Sequence, residues 1–322
     1  MNSILMSKGA RTIVEVCAGV RPKEIVLIVT EHKMIKIAES VASAVYANGA
    51  EPILSVMVPR LFDGKEPPNS IAAAMKSSDV FICAVYKSIT HTQAVKNAIL
   101  SGSRGIMLTQ FDENMLIKGG IEADFRKIAP MCHRMSKELE DKNEIVLTTP
   151  HGTNLRFSSK GRKGNALTCL VSKGEFAPVP TIEANVSPLE GTANGTIVAN
   201  ASIPYINIGV LQEPVSAEVI NGMIVSISGG EQAKMLEKNL QSMNDPLVYN
   251  IAELGIGLNP KCTFIGSMLE DEGVYGSVHI GIGTNITLGG KTKASCHYDL
   301  IMTEPTVIAD GKALLKNGEI CI

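Results

Sequence analysis

The stretch Glu24-Ile25-Val26-Leu27-Ile28-Val29 is a continuous apolar run, rich in β-branched residues and preceded by Pro22. A strand with one solvated face alternates polar and apolar residues. One that does not alternate is buried on both faces, as in a parallel sheet covered by helices. The flanking sequence continues the pattern. Residues 33–48 place Ile37, Val41, Ala44 and Val45 on one helical side and stop at Asn48-Gly49. A strand is predicted over 53–58, a helix from Asn69 to about 77, a buried strand over 79–85, a helix over 91–100, a strand over 105–108 and a charged helix over roughly 121–140. This alternation predicts a βαβ array with a parallel sheet over residues 1–143.

Beyond residue 143 the texture changes. Asn221-Gly222 separates two strand-like runs, 215–220 and 223–228, and both positions suit a type I′ hairpin turn. Asp310-Gly311 and Asn317-Gly318 repeat the signal. One helix, about 231–242, is ended by Asn244-Asp245-Pro246. The expected fold is therefore α/β: an N-terminal parallel-sheet domain, then an α+β domain (144–322) with a mostly antiparallel sheet.

Composition narrows the function. The 322 residues are 45% hydrophobic and 19% charged, ordinary for a soluble globular protein. No apolar run reaches the ~18 residues of a membrane span. The opening Met1-Asn2-Ser3-Ile4-Leu5-Met6-Ser7-Lys8 lacks a signal-peptide core. Seven cysteines, an odd number with no C-x-x-C pair, read as reduced thiols, so a cytoplasmic location is expected. A net charge of −2 argues against a basic nucleic-acid surface, and the absence of Trp with 4% aromatic residues argues against a base-stacking platform. Residues 1–143 carry +3 and residues 144–322 carry −5, which favours a cation site in the second half. No strand precedes a G-x-G-x-x-G, and no P-loop exists, so the first domain reads as structural and oligomerising.

Candidate ligands concentrate in residues 250–299. His297 and Asp299 lie two apart in a strand-like run, hence on one face, where an imidazole and a carboxylate can share a metal. Glu253 stands in an apolar, Gly-rich stretch that reads as strand interior, and a buried carboxylate must be paired or bind a metal. His279, in Val278-His279-Ile280-Gly281-Ile282-Gly283, makes the same case. Glu183, ahead of Gly191-Thr192-Ala193-Asn194-Gly195-Thr196, earns no weight from spacing alone. Glu270, Asp271 and Glu272 read as a solvated acidic loop, with Glu272 also a candidate base. His32, His91, His133 and His151 have no partner at ligand spacing. G-x-S-x-G and H-E-x-x-H are absent.

Together these residues resemble the thermophilic metallo-aminopeptidases (the aminopeptidase T and S family). That family binds two divalent metals through a Glu, a second Glu, a His and a His-x-Asp. The resemblance implies that Glu183, Glu253, His279, His297 and Asp299 are metal ligands. It implies two Zn, Mn or Co ions and a homodimer. The family's catalytic Tyr has no counterpart after His279, where Ile286 stands; Tyr275 and Tyr298 are nearby candidates. The chain is also similar to the 2,5-dihydroxypyridine dioxygenases, through Asp245-Pro246-Leu247-Val248-Tyr249, Gly257-Leu258-Asn259-Pro260 and Gly289-Gly290-Lys291 ahead of Cys296-His297-Tyr298-Asp299. Those enzymes hold one Fe(II) with two His and one Asp, their first His falling where this chain has Glu253. In them positions 183 and 279 are not ligands.

Five ligands with three carboxylates suit a pair of ions that activates water. The main expectation is thus a two-metal hydrolase of amide bonds, aminopeptidase-like, acting on a peptide or a small or cyclic amide. Glu253 would bridge the ions or act as base, and Glu272 would assist. The alternative is a mononuclear Fe(II) ring-cleaving dioxygenase, with His279, His297 and Asp299 as a facial triad. A non-enzymatic metal-binding protein is a third reading. No nucleic-acid or membrane partner is expected.

Overall fold

A computed structural model describes residues 2–322. The chain divides into two compact units. The first runs to Lys127 and takes back Leu167–Pro180; the second comprises Ile128–Ala166 and Thr181–Ile322.

The first unit is built on the apolar run that opened the sequence. Ile25–Thr30 pairs in parallel with Glu51–Val56 on one side and Val80–Ala84 on the other. Arg104–Met107 and then Phe176–Pro178 extend the sheet, also in parallel. Five of the six residues of Ile25–Thr30 are buried, as the absence of alternation requires. Ile35–Ala47, Asn69–Ser77 and Gln93–Leu100 are its helices. Leu27, Val29, Ile71, Met75, Phe81, Val95 and Met107 pack into one apolar cluster. The helix Asn2–Arg11 and the π-helical turn Thr12–Cys17 carry too little amphipathic signal to be read from sequence and were not expected.

The second unit holds an eight-stranded and a seven-stranded sheet. Asn221 and Gly222 both adopt positive φ (49° and 79°), as a type I′ hairpin requires. Asp310-Gly311 also joins paired strands. The helix Glu231–Ser242 lies at its expected position. The seven-stranded sheet positions the candidate site. Its centre runs Glu183–Val186, Ile251–Gly257, Val278–Gly283 and His297–Met302, each antiparallel to the next. The fold class is as expected. None of the seven cysteines forms a disulfide among the described residues, and six are buried. Among the described residues, no helix is long and apolar enough to cross a membrane.

The solvated loop expected at residues 270–272 is not what forms. Met268–Asp271 is a short helix with Glu270 and Asp271 buried. Asp271 accepts hydrogen bonds from Ser202 Oγ (2.5 Å) and from the backbone N–H groups of Ile265 (2.8 Å) and Gly266. Three donors replace the water that an acidic run normally keeps.

Candidate metal centre

Strand periodicity and register place the candidate residues on one sheet face. Glu253, Gly255 and Gly257 alternate along one strand, His279, Gly281 and Gly283 along the next, and His297 and Asp299 along the third. Glu253 pairs with Gly281, and Gly281 pairs with Asp299. His279 pairs with Gly255, His297 with Gly283 and Glu183 with Gly257. Each of these ligand-type side chains therefore has a glycine beside it in the ladder. A Cβ at Gly255 would lie 2.0 Å from Nε2 of His279, and one at Gly281 would lie 2.8 Å from Cε1 of His297. The imidazoles lie over these glycines, so the glycines make room for the rings.

The side chains converge. Nε2 of His297 is 2.9 Å from Oε2 of Glu253 and 3.5 Å from Oδ1 of Asp299. Nε2 of His279 is 3.4 Å from Oε2 of Glu183, 3.9 Å from Oε1 of Glu253 and 4.0 Å from Oδ1 of Asp299. Two overlapping groups have donor atoms within 4.8 Å of one another: Glu183, Glu253 and His279, and Glu253, His297 and Asp299. All but His297 are buried. Nδ1 of His297 faces the carbonyl of Thr284 at 2.8 Å. That bond fixes the ring and turns Nε2 to the carboxylates.

Such a cluster is electrostatically incomplete. Burial pushes the Glu183 carboxyl up to about 7, against the pull of His279. Burial also opposes charge on Glu253 and Asp299. The pull of nearby His279 and the hydrogen bond with His297 outweigh it at Glu253, and the charge of His297 outweighs it at Asp299, so both stay below the usual carboxylate range. Burial disfavours the charged imidazoles, but the carboxylates prevail. His279 is raised to about 9, with Glu183 the largest contributor, and His297 is raised well above its ordinary value, chiefly by Asp299. Without a cation, then, the site holds protons in its place. Among the described residues, five buried side-chain atoms lack a hydrogen-bond partner, and three are here: Oε2 of Glu183, Nδ1 of His279 and Oδ1 of Asp299. Buried carboxylate oxygens without donors fit a bound divalent cation.

Two residues complete the surroundings. The phenol of Tyr205 lies 2.6 Å from Oδ2 of Asp299 and 2.9 Å from Oε1 of Glu272. Burial, then the charge of Asp299, pushes Glu272 well above the usual carboxylate range. The phenol O–H donates to Asp299, the nearer of the two carboxylates. Nothing in the local sequence marked Tyr205, which enters through a loop distant along the chain. Tyr298 packs against it, ring centroids 4.9 Å apart, and donates to Asn239. Tyr275 is 40% exposed. His151 pairs with Glu304 at the surface.

The family model for NicX, 2,5-dihydroxypyridine 5,6-dioxygenase, matches residues 6–322. The chain belongs to this family. A curated relative, the 2,5-dihydroxypyridine 5,6-dioxygenase of Pseudomonas putida KT2440, is 30% identical over 145 residues. That match spans 41% of this chain and 41% of the relative. Among solved structures, a 2,5-dihydroxypyridine dioxygenase from the same organism superposes with a TM-score of 0.85 at 18% identity, over 100% of this chain and 98% of that one. Wild-type AmpT from Thermus thermophilus superposes with a TM-score of 0.70 at 14% identity, over the whole of both chains. At these identities the likenesses show a shared fold.

Family membership overturns the main expectation from sequence. The metallo-hydrolase reading, with its aminopeptidase and metalloprotease activities, gives way to a dioxygenase family. The reason is chemical. Imidazole and carboxylate ligands suit zinc, manganese and iron alike, so counting them does not separate hydrolysis from oxygenation. The fold shared with AmpT does not separate them either.

Proposed function

We propose that this chain is an Fe(II)-dependent dioxygenase that opens the ring of a dihydroxypyridine-like substrate. The family match across residues 6–322 carries the reading. The compact group Glu253, His297 and Asp299 supports it as the iron site, with His279 adjacent and Glu183 closing the far side. In this reading the second unit is catalytic, and the first is structural or oligomerising.

Bound Fe(II) would supply the redox chemistry by which dioxygen attacks an electron-rich ring. The protein's own groups do the rest. Glu253, His297 and Asp299 present oxygen and nitrogen donors from two strands on either side of Val278–Gly283, so sheet hydrogen bonding holds them before the metal arrives. Glu183, whose carboxyl burial raises to about 7, would be the group in the cluster able to accept a proton from a ring hydroxyl. Tyr205 keeps a donor on Asp299, with Glu272 beside its phenol. The apolar residues of the opposite sheet face, such as Leu254, Ile280 and Leu300, are buried and keep the strands dry.

Anaerobically purified protein should carry about one iron per chain. It should consume oxygen with 2,5-dihydroxypyridine and stop when the iron is chelated. Iron-loaded protein that leaves every dihydroxypyridine intact in air would overturn the reading.

The metal-free protein should be pH-sensitive. His279 is raised from 6.5 to about 9 and Glu183 from 4.5 to about 7, so the folded state binds more protons than the unfolded one in this range. Stability therefore falls as pH rises through these values. The lowered Glu253 and Asp299 act oppositely, on the acid side. Thermal melts from pH 6.5 to 9 should decline for metal-free protein, and bound Mn(II), which replaces the protons, should flatten the decline.

A further inference from the structure

We propose that Tyr205 is a positioning residue for the metal. By holding Oδ2 of Asp299, it leaves Oδ1 as the single oxygen presented to the cation. The inference rests on the reading of Asp299 as a ligand.

The two oxygens of Asp299 have different surroundings. Oδ2 is 2.6 Å from the Tyr205 phenol. Oδ1 has no hydrogen-bond partner and lies 3.5 Å from Nε2 of His297 and 4.0 Å from Nε2 of His279. A carboxylate with both oxygens free can chelate an ion and occupy two positions. One whose second oxygen is held by a phenol binds through one. The position kept open is then available to oxygen or substrate.

Tyr205 is itself held from several sides. Its ring packs on Tyr298, next to Asp299 in the same strand. It follows the short strand Ser202–Ile203, in which Ser202 pairs with Ile301 of the Asp299 strand. Oγ of Ser202 donates to Asp271, which leads directly into Glu272. Glu272 meets the phenol from the other side at 2.9 Å. Tyr205 is thus fixed relative to the oxygen it holds. Outer groups that orient a metal ligand in this way typically change metal affinity by about 10–100-fold.

The test is metal binding rather than turnover. Metal-free wild type, Tyr205→Phe, Tyr298→Phe and Asp299→Asn are each titrated with Co(II), followed by calorimetry and by the visible spectrum. Tyr205→Phe keeps the ring and loses only the hydroxyl. Its affinity should fall by about 10–100-fold, and its Co(II) spectrum should shift as Asp299 turns to two-oxygen binding. Tyr298→Phe should bind as wild type does. Wild-type affinity and spectrum in Tyr205→Phe would overturn the inference while leaving the site intact. Unchanged binding in Asp299→Asn would instead remove the ligand reading, and the inference with it. Should Tyr205→Phe not fold, 3-fluorotyrosine at position 205 keeps the shape and strengthens the donor. It should shift the Co(II) spectrum, and an unshifted spectrum would count against the inference.

Discussion

Replacing Asp299 with Asn is expected to lower iron content and ring-cleaving turnover together, each by more than about 100-fold, because the loss of a direct ligand exceeds that of an outer-shell partner. The side chain is nearly isosteric, and the amide oxygen can still accept from the Tyr205 phenol at the place of Oδ2. What disappears is the charge and the unpartnered Oδ1 that faces both imidazoles. The amide would present N–H groups toward those rings, where a cation or an imidazolium belongs. Fold loss is not expected. Glu183 and Glu253 lose a repelling neighbour while the two imidazoles lose an attracting one, so the two effects oppose each other. Iron analysis, oxygen uptake and a thermal melt on one preparation check all three points. An Asn variant with full iron and full turnover would exclude Asp299 as a ligand.

Gly255→Ala should damage the metal centre and the fold through a single methyl. The new Cβ would stand 2.0 Å from Nε2 and 2.2 Å from Cε1 of His279. The ring cannot retreat into the sheet, whose backbone lies beneath it, and Glu183 already stands 3.4 Å from Nε2. Overpacking of this kind costs about 1–3 kcal/mol, and more where nothing can shift. Two results should appear together: a lower denaturation midpoint, and loss of the donor His279 adds beside Glu253. Denaturant unfolding of metal-free protein measures the first, and Mn(II) titration the second. A variant that keeps wild-type stability and wild-type metal affinity would show that the His279 ring does not lie over Gly255.

The candidate residues were legible in the sequence for a local reason. Glu253 and His279 interrupt apolar runs, and a charge in a strand interior stands out without knowledge of its partners. His297 and Asp299 share a face by strand periodicity alone. Glu183 was legible only through a family resemblance, because its burial comes from pairing with Ile251–Gly257, about seventy positions later. Tyr205 was not legible at all, since its partners Glu272 and Asp299 are 67 and 94 residues away. Residues 270–272 misled for a related reason. Acidic runs are normally solvated, and only the distant Ser202 hydroxyl and the backbone N–H groups of a local turn show that Asp271 is buried.

By itself the sequence determined what depends on neighbours along the chain: the parallel first sheet from an unalternating apolar run, the Asn-Gly hairpins from their need for positive φ, and the candidate donors from charges within apolar strands. The tertiary structure decided what depends on register. Antiparallel pairing sets Glu253 and Asp299 on either side of Gly281, seats His279 over Gly255 and brings Tyr205 to one oxygen of Asp299. A slip of one residue would turn each of these side chains to the opposite face, and only long-range packing holds the register that joins them.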